Sequence, residues 1–304
     1  MRKYGYWLAT GLLLVAFVVS GGLLVRYFLD GRQAMSSAAE ARILAERVIG
    51  QSAGEPEREM SYSELFRELR ELNPETVAWL VIPDSEVRYP VVRAADNEHY
   101  LKIGFDGKRN SHGAIFMDYR NQRPFEDFNT VVYGHNMRDK TMFGSLADIG
   151  PELARTGGQV LTVSESGALT WQVFSARIVN AETELDMYGL VYAPASLRRL
   201  NALIPQGRQG IGASDRILTL STCASGGRKD YRYILQARLI SSVPAAGEAP
   251  GGGAAAGEAA DGGATAAAAG EAAGAAVVAG AAGIASGEAA AGEAPGGGAA
   301  PVDA

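Results

Sequence analysis

The sequence predicts a mostly β domain, an eight-stranded barrel or sandwich with a few helices, set between a transmembrane helix and a disordered tail. Three observations carry that prediction. Eight short apolar runs broken by turns lie between residues 78 and 239, without the strand–helix alternation of a parallel α/β sheet. Residues 6–25 contain no charge and are rich in Leu, Val and aromatics. From residue 244 onward the chain is nearly all Ala and Gly.

The uncharged run of residues 6–25 is long enough to cross a hydrocarbon core of roughly 30 Å as a helix. Cleavable signal peptides have shorter apolar cores, about 7–15 residues, and Val19-Ser20-Gly21-Gly22 is a poor cleavage site, so an uncleaved anchor is expected over residues 1–29. Arg2 and Lys3 favour a cytoplasmic N-terminus, a single pass through the cell membrane, and a domain on the extracellular side. Residues 30–60 read as stalk and linker, with 34–50 helical and 51–59 polar and Pro-containing. Ser61-x-x-Glu64 is a capping-box pattern, and Leu65, Phe66, Leu69 and Leu72 follow at helical spacing, so an amphipathic helix ends before Asn73-Pro74.

The predicted domain covers residues 61–243. Strands are expected at 78–82, 87–92, 114–118, 130–133, 159–163, 169–179, 216–222 and 231–239. Helices are expected near 97–102, 142–149 and 195–204. The tail, 244–304, repeats GEAPGGGAA at 247–255 and 292–300 and holds no aromatic residue, too little apolar surface to offset chain entropy. Its seven acids exceed the whole formal net charge of −6, which leaves residues 1–243 nearly neutral. The charge balance therefore points to no nucleic-acid partner and to no acidic or basic one.

The chain has one cysteine, so no intramolecular disulfide can form. A lone Cys is either a small buried hydrophobe or a reactive thiol. Cys223 follows the apolar run Ile217-Leu218-Thr219-Leu220 and precedes the polar Ala224-Ser225-Gly226-Gly227-Arg228, where strand gives way to loop. Scaffolds place reactive groups at such points. A reactive thiol needs a base, because the thiolate is the nucleophile. Of three histidines, His99 reads as solvated. His112 sits in Ser111-His112-Gly113, a triplet that precedes the nucleophilic Cys in L,D-transpeptidases, but Ala114 occupies that position here. His135 leaves the apolar strand Val131-Val132-Tyr133 through Gly134 and is the best-placed partner. Arg232 opens the last strand, where a cation is costly unless it pairs or faces a polar cleft. If the strands around it form a hairpin, it returns beside Cys223 and supplies donors for an oxyanion, with Arg228 a competing candidate.

Thr219-Leu220-Ser221-Thr222-Cys223 with Arg232 nine residues on resembles the TLxTC signature of sortases. Asn73–Leu80 (NPETVAWL), Gly113–Asn121 (GAIFMDYRN), Val132–Met137 (VYGHNM) with Met142-Phe143-Gly144, and a helical insertion between the sixth and seventh strands resemble class B of that family. The resemblance spans roughly residues 61–241. It implies an eight-stranded sortase-type β-barrel and a cysteine transpeptidase that cuts an NPxT-like sorting motif through a thioacyl-enzyme. It implies that Cys223 is the nucleophile, His135 the general acid–base and Arg232 the oxyanion partner, with Ser221, Thr222 and Tyr188 shaping substrate binding. The implied partners are secreted proteins with a C-terminal sorting signal and an amine acceptor, either a peptidoglycan precursor or a pilin Lys. No cofactor is implied, and the scattered histidines lack metal-ligand spacing. Two other readings remain open: a cysteine peptidase that releases its product to water, and a non-catalytic membrane-tethered surface module.

Overall fold

The computed structural model describes residues 2–49, 61–184, 194–206, 210–223 and 230–245. The linker expected at 51–59, the tail beyond residue 245, Arg228 and Tyr188 lie outside the described residues. Eight strands close a barrel in the order β1-β2-β3-β4-β7-β8-β6-β5. They are β1 Thr76–Val81, β2 Arg88–Val92, β3 Ile115–Met117, β4 Asn129–Tyr133, β5 Gln159–Ser164, β6 Gly167–Asn180, β7 Ile217–Cys223 and β8 Tyr231–Pro244. Each expected strand is present, and β8 runs past the expected end at 239 to pair with the start of β6. Most neighbours are antiparallel, but β2–β3 and β4–β7 are parallel.

Strand periodicity of two explains how both faces of the wall are covered. In β1, Ala78 and Leu80 join the barrel core with Ile115, Met117, Trp171, Leu218 and Leu220. The alternate Trp79 and Val81 face outward into a second cluster built by Leu65, Phe66 and Leu69 of α2, Tyr62–Leu72. The capping box at Ser61 forms as expected: Glu64 N donates to the Ser61 hydroxyl at 3.2 Å and Ser61 N donates to the Glu64 carboxylate at 2.9 Å. A third cluster around Phe174, Leu200 and Ile217 seats α4, Pro194–Ala202, the helix between β6 and β7.

Two helical expectations need correction. The helix expected at 142–149 is α3, Leu146–Thr156. Lys140 and Met142 adopt left-handed backbone (φ 66° and 53°), so this stretch is a turn rather than a first helical turn. The helix also continues through Pro151 to a left-handed Gly157 cap. The element near 97–102 is a single 3₁₀ turn, His99–Leu101. The anchor and the stalk are one helix, α1, Arg2–Ile49. Its first half bears an apolar stretch with mean hydropathy 2.2, none of it buried among the described residues. Its second half lies against the barrel and α2: Gly31, Ala34, Ala38, Ala41 and Ala45 are all buried, with Ala34 and Ala38 in the barrel cluster and Ala41 and Ala45 in the cluster that α2 builds.

Candidate active site

Parallel pairing of β4 with β7 brings two C-terminal strand ends to the same rim of the barrel. Tyr133 pairs with Ser221, and Gly134 N donates to the Ser221 carbonyl at 3.1 Å. His135 therefore leaves β4 beside the point where Thr222 and Cys223 end β7. The antiparallel β7–β8 register then pairs Cys223 with Arg232 directly. The hairpin on which the return of Arg232 depended is present, and three chain ends bring Cys223, His135 and Arg232 to one edge.

Gly134 is required at this exit, because a Cβ there would collide with Ile115 and Phe143 beneath it. The His135 ring is held from the other side. Its Nε2 lies 2.8 Å from the Leu101 carbonyl, which can only accept, so Nε2 carries the proton. In the neutral imidazole the lone pair is then on Nδ1, the nitrogen available for proton exchange. The Arg232 guanidinium donates from Nη1 to the Tyr231 carbonyl at 3.2 Å. Beneath the rim, Thr219 is tied to Asn129 at 2.8 Å, a buried polar bond that links β7 to β4 under the nucleophile's strand.

A groove of about 680 Å³ runs along this edge, lined by His135, Arg232, Ser221 and Thr222 among others. Both residues named for substrate contact on β7 thus face the groove, whereas Tyr188 lies outside the described residues. Six further groove residues, Asn97, Leu101, Phe116, Arg120, Tyr133 and Ala181, were not named as site residues from the sequence. Asp118 orders two of them. Its fully buried carboxylate accepts from Arg120 at 2.8 and 2.9 Å and from the Tyr133 hydroxyl at 2.9 Å. Burial alone would raise the Asp118 carboxyl, but the bonds from Arg120 and Tyr133 outweigh it and hold it below the ordinary carboxylate value. The available signal was an Asp directly after an apolar strand with an Arg two residues on; only the fold added the Tyr133 partner.

The Ser111-His112-Gly113 triplet lies behind this edge. His112 is fully buried with Nε2 3.1 Å from an Asp139 carboxylate oxygen, so it is a structural residue of the loop that follows His135. Gly113 has φ 60°, and a Cβ there would strike the Tyr100 carbonyl and crowd the His135 ring at 3.2 Å.

Residues 80–240, just over half of the chain, match the sortase domain. The chain belongs to the sortase family. Sortase B of Listeria monocytogenes is 32% identical over 187 residues, covering 58% of this chain and 74% of that protein. The crystal structure of Clostridium perfringens sortase B superposes with a TM-score of 0.52 at 28% identity, covering 58% of this chain and all of that one. A Staphylococcus aureus sortase B–substrate complex shares the fold with a TM-score of 0.59 at 23% identity, covering 70% and 98%. These relatives place this sortase in class B, and sortases of this class are cysteine transpeptidases.

Proposed function

We propose that this sortase cleaves an NPxT-like sorting motif at its Thr through a thioacyl-enzyme on Cys223 and passes the acyl group to an amine. The reading is supported by one observation above others: the register that pairs Cys223 with Arg232, at the rim where His135 leaves β4. The Cys223 thiolate attacks the Thr carbonyl carbon, and the Arg232 guanidinium donates to the oxygen as it becomes an oxyanion. The C–N bond then breaks, and His135 protonates the departing amine. In the second half His135 takes a proton from the incoming amine, which attacks the thioester and releases the Cys223 sulfur.

Ser221 and Thr222 flank the groove and, with Tyr188, form the proposed substrate contacts. The acceptor is the amine of a cell-wall precursor or a pilin Lys. The enzyme is anchored by α1 with its N-terminus in the cytoplasm and its barrel outside, where secreted proteins carrying a sorting signal arrive. The apolar half of α1, with Arg2 and Lys3 before it, supports that orientation.

Incubation with an NPxT-like peptide, with and without an amine acceptor, followed by mass spectrometry tests the chemistry. The expected result is an acyl adduct on Cys223 that Cys223→Ala lacks, and a ligated product formed only with the amine. Identical hydrolysis products under both conditions would replace the transferase reading with a peptidase. Surface-protein anchoring left intact by Cys223→Ala would favour the non-catalytic module.

A further inference from the structure

The end of the membrane-spanning stretch and the first contacts with the barrel fall on the same two turns of α1. Val25, Phe28 and Leu29 are still more than half exposed, as lipid-facing residues are (58%, 59% and 58%). Yet Tyr27 already packs on the His112 ring, with centroids 5.2 Å apart. The Asp30 carbonyl accepts from the Asn110 side chain at 2.9 Å, and its carboxylate accepts from Ser111 N at 3.2 Å. One turn on, Gln33 donates to the Asp106 carboxylate at 2.9 Å. A helix rises 1.5 Å per residue, so Val25 and Gly31 are separated by about 9 Å along the axis. The headgroup layer on each side of a bilayer is roughly 5–7 Å thick. The loop at residues 102–112, bound to α1 at these positions, therefore lies at headgroup depth once the anchor is inserted.

The chemistry of that loop suits the location. Lys102, Lys108 and Arg109 are exposed on it, and its acid Asp106 is engaged by Gln33 and, at 3.6 Å, by Lys108. Arg26 and Arg32 flank the same turns of α1. Arg138 lies exposed on the adjoining turn, whose Asp139 is tied back to His112, while Lys140 beside it pairs with Asp148 at 2.6 Å. The buried stripe of Gly31, Ala34, Ala38, Ala41 and Ala45 holds the rest of the helix along the barrel and α2, so the loop does not hang from a free stalk. We propose that the loop at residues 102–112 is a membrane-contact surface that rests on anionic phospholipid headgroups and holds the active-site groove at the bilayer surface. Leu101, the residue just before this loop, bears the carbonyl that holds His135, so the lipid contact and the groove are neighbours. Substrates that are themselves tethered to the bilayer, such as a sorting motif next to its own membrane span, would meet the groove at their own height.

The inference rests on the anchored, extracellular reading of α1 and on the transpeptidase reading of the groove, and its test separates them. Full-length protein with Cys223→Ala is placed in nanodiscs of phosphatidylcholine with phosphatidylglycerol, carrying one nitroxide label at Val15→Cys, Lys108→Cys or Ser166→Cys. Accessibility to oxygen and to a water-soluble nickel complex reports depth. The expected order is bilayer interior for residue 15, headgroup level for residue 108 and bulk water for residue 166. A water reading at 108 with 15 inside the bilayer overturns the contact alone. A water reading at 15 overturns the anchor, and the contact with it. In the active enzyme, Lys108→Glu with Arg109→Glu should lower turnover of a bilayer-tethered sorting peptide by roughly fivefold or more at low salt, an effect that high salt removes. Turnover of the soluble peptide should be unchanged. Equal loss on both peptides, or no loss on either, overturns the charge contact; a soluble peptide that no variant turns over overturns the transpeptidase reading instead.

Discussion

Two of the helices on the outside of the barrel, α1 and α2, pack by opposite means. In α2, Leu65, Phe66 and Leu69 fill a cluster with Trp79, Val81 and Tyr100, so its seam is made of large side chains. In α1, Gly31, Ala34, Ala38, Ala41 and Ala45 repeat at alternating three- and four-residue steps, so its seam is made of almost none. Burying a Leu or Phe is worth about 1.5–3 kcal/mol, and an Ala far less. The α1 seam gains closeness instead. A Cβ at Gly31 would lie 3.1 Å from His112 Nε2 and 3.3 Å from the Asp139 carboxylate. That approach lets Asp30 and Gln33 bond the loop at 102–112. One helix is held by apolar bulk, the other by fit and by polar ties at Asp30 and Gln33.

The contrast can be broken most severely at α2. Phe66→Ala should lower the unfolding free energy by about 3–5 kcal/mol, measured by urea denaturation of the full chain in detergent. In α1 the damaging change runs the other way, toward larger residues. Ala38→Leu should cost about 1–3 kcal/mol by overpacking and expose residues 31–49 to protease while the barrel stays resistant. If Ala38→Leu is neutral, the α1 seam is looser than its buried alanines imply.

The smallest effect is electrostatic. Burial by itself would raise the Asp139 carboxyl, but hydrogen bonds from Thr141 and His112 hold it below its ordinary value. A carboxyl depressed in the folded state stabilises fully above its unfolded value, about 3.9, and loses that contribution as pH falls through the folded one. Asp139→Asn should therefore cost about 1 kcal/mol or less at neutral pH and flatten the acid limb of the stability profile below about pH 4. An unchanged acid limb would assign the acid sensitivity to other carboxylates, with Asp118 the first to test.

Much of this arrangement was legible in the chain. Ser61 and Glu64 announce the start of α2, and the apolar run at 78–82 announces β1. Cys223 and His135 could be placed at strand exits because apolar runs end there. The start of α3 differs from the expected one because the stretch before Ser145 has helical composition, while the Asn136–Met142 bridge and the left-handed backbone at Lys140 and Met142 close it as a turn. Arg120 and Tyr133 escaped notice because their partner Asp118 joins them only when β3 and β4 pair. The Ala stripe of α1 was equally invisible, since alanine at helical spacing carries no sign of a partner.

By itself, then, the sequence determined the local matters: which runs are strands, where α2 is capped, that an uncharged stretch of membrane length exists, and that a single thiol lies at a strand end. Those follow from periodicity, capping chemistry and apolar length, which act over a few residues. The tertiary structure alone decided what meets what. The parallel β4–β7 pair set His135 beside the end of β7, and the β7–β8 register set Arg232 opposite Cys223. The docking of α1 turned the Ser111-His112-Gly113 triplet into the joint between α1 and the barrel. Registers and docked faces depend on how distant segments fill one another's space, and no local pattern records that.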